Sequence, residues 1–145
     1  MTTPGMRALR AGRRSIPGHY YHITLVTRRR YPFFEDFRTA CKACRTFSIS
    51  TLDAQCETQS FVVMPDHVHW LLQLKGDLAH AIRIYKSHVS MSVGLRVWDT
   101  GYYDRALRSD EDIRTVARYI VANPLRAGLV ENIGEYPYWD AIWLD

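Results

Sequence analysis

The chain has 145 residues, 47% of them hydrophobic, with a formal net charge of +4 and three cysteines. That length suits one domain whose core needs no covalent staples, and its apolar runs fall well short of the roughly 20 residues of a membrane helix. The start of the chain has arginines but no apolar h-region, which excludes a secretory signal. The odd cysteine count, with no second pair beside Cys41-x-x-Cys44, argues for a reduced, cytoplasmic setting without zinc.

Residues 1–17 read as a basic arm ahead of a single domain, 18–145. Seven arginines (7, 10, 13, 14, 28, 29 and 30) and no acid precede Glu35, whereas twelve Lys or Arg face fifteen Asp or Glu from there on. The positive charge therefore sits in the arm and at the end of the first strand. Sixteen of the nineteen basic residues are Arg, whose planar fork suits phosphate and stacks on bases. This concentration points to nucleic-acid contact through Arg7, Arg10, Arg13, Arg14, Arg28, Arg29 and Arg30, against the plainer reading of a solvated tail.

His19 to Thr27, aromatic and β-branched, predicts a first strand. Residues 36 to about 52 have helical spacing through Phe37, Ala40, Cys44, Phe47 and Leu52. A second strand is expected over 58–65, a tight turn at Pro65-Asp66, and a third strand over 67–74. A helix over about 77–93 places Leu78, Ile82, Tyr85 and Val89 on one stripe. Residues 97–104 read as a short strand or loop rich in aromatics. Ser109 is expected to open another helix, with Asp112 closing a capping box. That helix should end near Asn123, because Pro124 disfavours α geometry in the residue before it. The tail, with Tyr136, Tyr138, Trp139 and Trp143, is expected to pack back on the body. The order β-α-β-β-α-β plus one helix predicts an α+β fold, a ferredoxin-like antiparallel sheet covered by helices on one face.

The third strand carries the most informative residues. Successive strand side chains alternate between faces, so His67 and His69 share one face while Val68, Trp70 and Leu72 point to the other. Two imidazoles at this spacing can reach one metal ion, although the spacing alone fits two ordinary strand histidines as well. In the last helix, Ile113, Val116, Ala117 and Ile120 make the core stripe, and Tyr119 and Asn123, four apart, lie on its flank. Singly, the tyrosine fits an amphipathic core position and the asparagine a helix terminator. Beside the histidine strand, the Asn123 amide oxygen could complete a His-His-Asn site one turn from the Tyr119 hydroxyl. Tyr102, Tyr103 and Arg105 could stack on bases or contact phosphate, or simply pack; Lys86 could meet phosphate or be a solvated lysine.

At these residues the chain resembles the HUH single-strand tyrosine transposases, in particular the REP-associated tyrosine transposases. Met64-Pro65-Asp66-His67-Val68-His69 matches the family's His-hydrophobic-His motif in its usual context. Tyr119-Ile120-Val121-Ala122-Asn123-Pro124-Leu125-Arg126-Ala127-Gly128-Leu129-Val130 matches the nucleophile helix and the turn after it. Trp98, Gly101-Tyr102-Tyr103-Asp104-Arg105 and Leu107-Arg108 match the segment between. The likeness runs from about residue 18 to 140, in order and with correct spacing. It implies a bacterial cytoplasmic enzyme, monomer or homodimer, that cleaves and rejoins single-stranded DNA near palindromic hairpins. It also implies a 5′-phosphotyrosine on Tyr119 in the added C-terminal helix, and a divalent ion at His67, His69 and Asn123. Neutral ligands of this kind hold Mg²⁺ weakly and Mn²⁺ better, with DNA phosphate as a further ligand. A phenol is a poor nucleophile while it keeps its proton, and a cation can polarise the scissile phosphate. Two other readings stay open on residues alone: a non-catalytic single-strand-binding sheet, and a metal-dependent phosphodiesterase in which water attacks.

Overall fold

The computed structural model describes residues 15–143. Five antiparallel strands form one sheet in the order β4-β1-β3-β2-β5. They are β1 (Tyr20–Val26), β2 (Cys56–Met64), β3 (His67–Leu74), β4 (Tyr103–Ala106) and β5 (Trp139–Ala141). The first four reproduce the expected ferredoxin-like order. The fifth arises because the aromatic tail packs back and continues the sheet along β2, Ala141 opposite Ser60.

The principal helices are α1 (Phe37–Thr46), α2 (Ser50–Asp53), α3 (Leu78–Val93), α4 (Ile113–Val121) and α5 (Asn123–Arg126). The single helix expected over 36 to about 52 is interrupted at Phe47–Ile49, where Phe47 turns inward and stacks on Phe61 and Tyr85 at 4.1 and 4.3 Å between ring centroids. Asp77 caps α3 by accepting from the His80 N–H, and Gly94 closes it at φ +80°, a left-handed conformation that suits glycine. The α4 helix begins three residues later than the capping box at Ser109 predicts. The Glu111 carboxylate instead accepts from the Arg108 N–H and Arg105, holding a turn, so Asp112 becomes the cap itself.

Period-two burial splits the sheet into two working faces. Tyr21, Ile23, Leu25, Phe61, Val63, Val68, Trp70 and Leu72 meet α1 and α3 through Ala40, Ala43, Ala81, Ile82 and Tyr85. The polar tips of the buried aromatics are satisfied: Tyr85 donates to the Ala43 carbonyl at 3.0 Å, Trp70 to Thr58 at 3.0 Å and Trp98 to the Lys86 carbonyl at 3.1 Å. The opposite face is covered too, contrary to the expectation of helices on one face: Val62, Met64 and Leu71 pack with Ala117 and Ile120 of α4 and with Tyr136. This second face is the one that bears the histidines.

Candidate active site

The register explains how β3 presents its histidines. His67 stands between Val26 of β1 and Met64 of β2, and His69 between Thr24 and Val62. Their ring centroids are 5.0 Å apart with planes at 88°. A ring nitrogen ligates a metal at about 2.1 Å, so two imidazoles on one ion stand with centroids roughly 4.5–5 Å apart. The pair therefore fits a shared cation. Each Nδ1 is already engaged. His67 Nδ1 lies 2.7 Å from Asp66 Oδ1, and His69 Nδ1 lies 3.0 Å from His22 Nε2 and 3.3 Å from Thr24 Oγ1. That leaves Nε2 on each ring for a ligand. Burial, then the nearby His22, His67 and Arg126, pushes His69 down to about 3. Burial and then Arg105 push His22 down to about 4. Both rings are thus neutral near pH 7, the form a metal ligand requires.

The helix α4 lies across this same face because Ala117 and Ile120 are buried against β2 and β3. Tyr119, beside that stripe, is 62% exposed. The Arg126 guanidinium sits 3.7 Å from the centre of its ring and donates to its carbonyl at 2.6 Å. The helix ends at Val121, with Ala122 as its cap, so Asn123 opens the next short helix and does not continue the Tyr119 flank. Pro124 then takes an early helical position, where a missing N–H costs nothing. The Asn123 amide donates to the Ile120 carbonyl at 2.7 Å, which fixes Oδ1 as its accepting end. Among the described residues no three His, Cys, Asp or Glu side chains gather into a metal cluster. A cation here needs the amide oxygen or substrate phosphate in addition to the two imidazoles.

The remaining predicted residues divide. Arg28, Arg29 and Arg30 are exposed in a tight turn after β1, with Arg29 and Arg30 at φ 55° and 57°. Such left-handed conformations cost side-chain-bearing residues of order 1 kcal/mol each. The turn is held by buried Thr27, whose backbone N–H donates to the Asp66 carbonyl at 3.0 Å. It places Arg30 Nε 3.8 Å from Asp66 Oδ2. Arg28 and Arg29 also line an open cleft with Tyr31, Phe33 and Arg96, although Glu35 and Asp36 line it too and offset part of its positive charge. Lys86 ties the loop before β4 to α3, donating to the Asp99 and Gly101 carbonyls at 2.9 and 3.0 Å. Arg105 pairs with Glu111 at 2.8 Å. Tyr102 packs against the main core, while Tyr103 is 48% exposed on the edge strand. Arg7, Arg10, Arg13 and Arg14 lie outside the described residues. Sequence reasoning missed His22, Thr24, Asp66 as a partner of His67, and Arg126. Asp66 was legible as the neighbour of a candidate ligand, and alternation along β1 could have put His22 and Thr24 on the histidine face. Nothing local announces Arg126.

Residues 15–123 match the family described as "Transposase IS200 like". A Haemophilus influenzae protein provisionally named a REP-associated tyrosine transposase is 26% identical over an alignment covering 83% of this chain and 78% of its own. The REP-associated tyrosine transposase of Escherichia coli K12 is 28% identical over 59% of this chain and 54% of its own. A solved REP-associated tyrosine transposase bound to a REP hairpin superposes with a TM-score of 0.71 at 25% identity, covering 88% of this chain and 79% of that one. No helix among the described residues is long and apolar enough to cross a membrane. A match over three quarters of the length, spanning the histidine strand and reaching Asn123, places this chain in the IS200-like transposase family.

Proposed function

We propose that this protein nicks and rejoins single-stranded DNA beside palindromic hairpins, with Tyr119 as the nucleophile. The observation that carries this reading is the shared face: the strand presenting His67 and His69 is the one on which the helix bearing an exposed Tyr119 packs. The hairpin is suggested by the solved relative, which is bound to a REP hairpin.

In this reading the Tyr119 hydroxyl gives its proton to solvent and its oxygen attacks the scissile phosphorus. The bond to the 3′ oxygen breaks, that strand leaves with a 3′-hydroxyl after taking up a proton, and the 5′ phosphate stays on the tyrosine. Attack by a 3′-hydroxyl reverses the step and reseals DNA without ATP, because the ester energy is retained in the covalent intermediate. A divalent cation, Mg²⁺ or Mn²⁺, held by His67, His69 and Asn123 would polarise the phosphate and balance its developing charge. Arg126, stacked on Tyr119, orients the phenol and offers a guanidinium to the phosphate. Arg28, Arg29, Arg30 and Tyr103 supply basic and aromatic surface for the strand, and Arg7, Arg10, Arg13 and Arg14 add charge from the arm.

The test is incubation with a single-stranded hairpin oligonucleotide and Mn²⁺ or Mg²⁺, followed by denaturing electrophoresis and mass spectrometry of the digest. A nucleotide attached to the Tyr119 peptide is expected. Binding without nicking would support a non-catalytic module, and nicking without an adduct would support attack by water.

A further inference from the structure

His67 and His69 can share a cation only if each presents a lone pair from Nε2. A neutral imidazole carries one N–H and one lone pair, and only the nitrogen without the proton can ligate. The atom bonded to Nδ1 therefore decides whether the ring is competent. For His67 that atom is a carboxylate oxygen of Asp66 at 2.7 Å, which can only accept when ionised, so the proton belongs on Nδ1. For His69 it is another imidazole nitrogen, His22 Nε2 at 3.0 Å, with Thr24 Oγ1 at 3.3 Å.

We propose that His22 is a positioning residue for the metal site: its Nε2 accepts the Nδ1–H of His69 and so holds that ring in the tautomer whose Nε2 faces the cation. The inference rests on the cation reading above only for its functional consequence. The residue is placed for this task by the sheet. His22 lies opposite Leu71 in β1, and Thr24 lies opposite His69, so His22 reaches His69 along the diagonal of the antiparallel pair, a distance long side chains span. Alternation of β1 puts Tyr21 and Ile23 in the main core and leaves His22 and Thr24 on the histidine face. The His22 and His69 centroids are 5.2 Å apart with planes tilted by 47°, consistent with an in-plane nitrogen-to-nitrogen contact rather than a stack. The same arrangement orients the ring: with Nδ1 tied to β1, rotation about the side-chain bonds would break a partly buried hydrogen bond.

The prediction can be read without DNA. In full-length protein labelled with ¹⁵N histidine, long-range proton–nitrogen spectra should show His69 as the Nδ1–H tautomer. Three variants separate the contributions. His22→Gln keeps an accepting oxygen near Nδ1 and should retain both the tautomer and Mn²⁺ affinity within a few-fold. His22→Phe keeps a ring without an acceptor, leaving Thr24 as the substitute, and should weaken Mn²⁺ binding measured by electron paramagnetic resonance. His22→Phe with Thr24→Val removes both acceptors, and affinity should fall roughly 10–100-fold while His69 shifts towards the Nε2–H form. Circular dichroism checks that each variant is folded. A wild-type His69 in the Nε2–H form would overturn the proposal, as would an unchanged tautomer and unchanged Mn²⁺ affinity in the folded double variant. If wild-type protein took up no Mn²⁺, the cation reading would fall, and the tautomer spectra alone would decide whether His22 holds His69.

Discussion

Replacing Tyr119 with Phe removes one oxygen from a side chain that is 62% exposed. No packing is lost, because the Arg126 guanidinium 3.7 Å from the ring centre sits as well over a phenyl ring, an interaction worth about 0.5–1 kcal/mol. The second Arg126 contact is to the Tyr119 backbone carbonyl and is untouched. A surface change of this type stays within about 0.5 kcal/mol, so the melting temperature should move by no more than about 2 °C. Hairpin affinity should remain within about threefold, less than 1 kcal/mol. Chemistry should collapse, since deleting a nucleophile costs several orders of magnitude, about 10⁴-fold or more. Calorimetry, fluorescence anisotropy and denaturing gels read these three quantities on one preparation. Cleavage that survives in Tyr119→Phe without any adduct refutes the assignment in favour of water. An adduct on Tyr102 or Tyr103 refutes the residue and keeps the chemistry.

Other expectations follow from the same contacts. His69→Ala should abolish cleavage and, by leaving partly buried His22 without its partner, lower stability by about 1–2 kcal/mol; His67→Ala should abolish cleavage with less effect on folding, and full activity in chelator would refute the cation. In metal-free protein, His22 and His69 titrate at about 4 and about 3 when folded and near 6.5 when unfolded. The unfolded chain therefore binds more protons below pH 6.5, and stability should fall with falling pH by up to about 2.7 kcal/mol per unit for the pair; a flat denaturation profile between pH 6.5 and 4 would contradict their burial. Deleting residues 1–15 removes four arginines and should lower the log–log salt slope of DNA binding by about 3, whereas an unchanged slope would make the arm a solvated tail. Lys86→Met should cost about 2–3 kcal/mol by releasing the Asp99 and Gly101 carbonyls, with the salt slope unchanged; a reduced slope would return Lys86 to the DNA surface.

What the sequence determined by itself are the features governed by local periodicity. The two-residue repeat of a strand puts His67 and His69 together and Val68, Trp70 and Leu72 away from them, and the structure shows that split. The helical repeat located the Leu78, Ile82, Tyr85, Val89 stripe, but the break expected at Asn123 falls at Ala122, because Asn123 and Pro124 together open a new helix in which the missing proline N–H is not needed. The order of elements was enough for a ferredoxin-like sheet. Helix starts were less legible: Ser109 and Asp112 are both acceptable caps, and the Glu111 carboxylate, by holding the preceding turn, selects between them. Strand register, and the choice of which face α4 covers, were decided only by tertiary structure, because they follow from which arrangement buries the most apolar surface across the whole chain. Register brings His22 to His69 across 47 residues of sequence, and the packing of Ala117 and Ile120 brings the helix that carries Tyr119 to the histidine face. Lys86 and Arg105 read as free cations in sequence because a side chain's partner is invisible until the loop that supplies it has been placed.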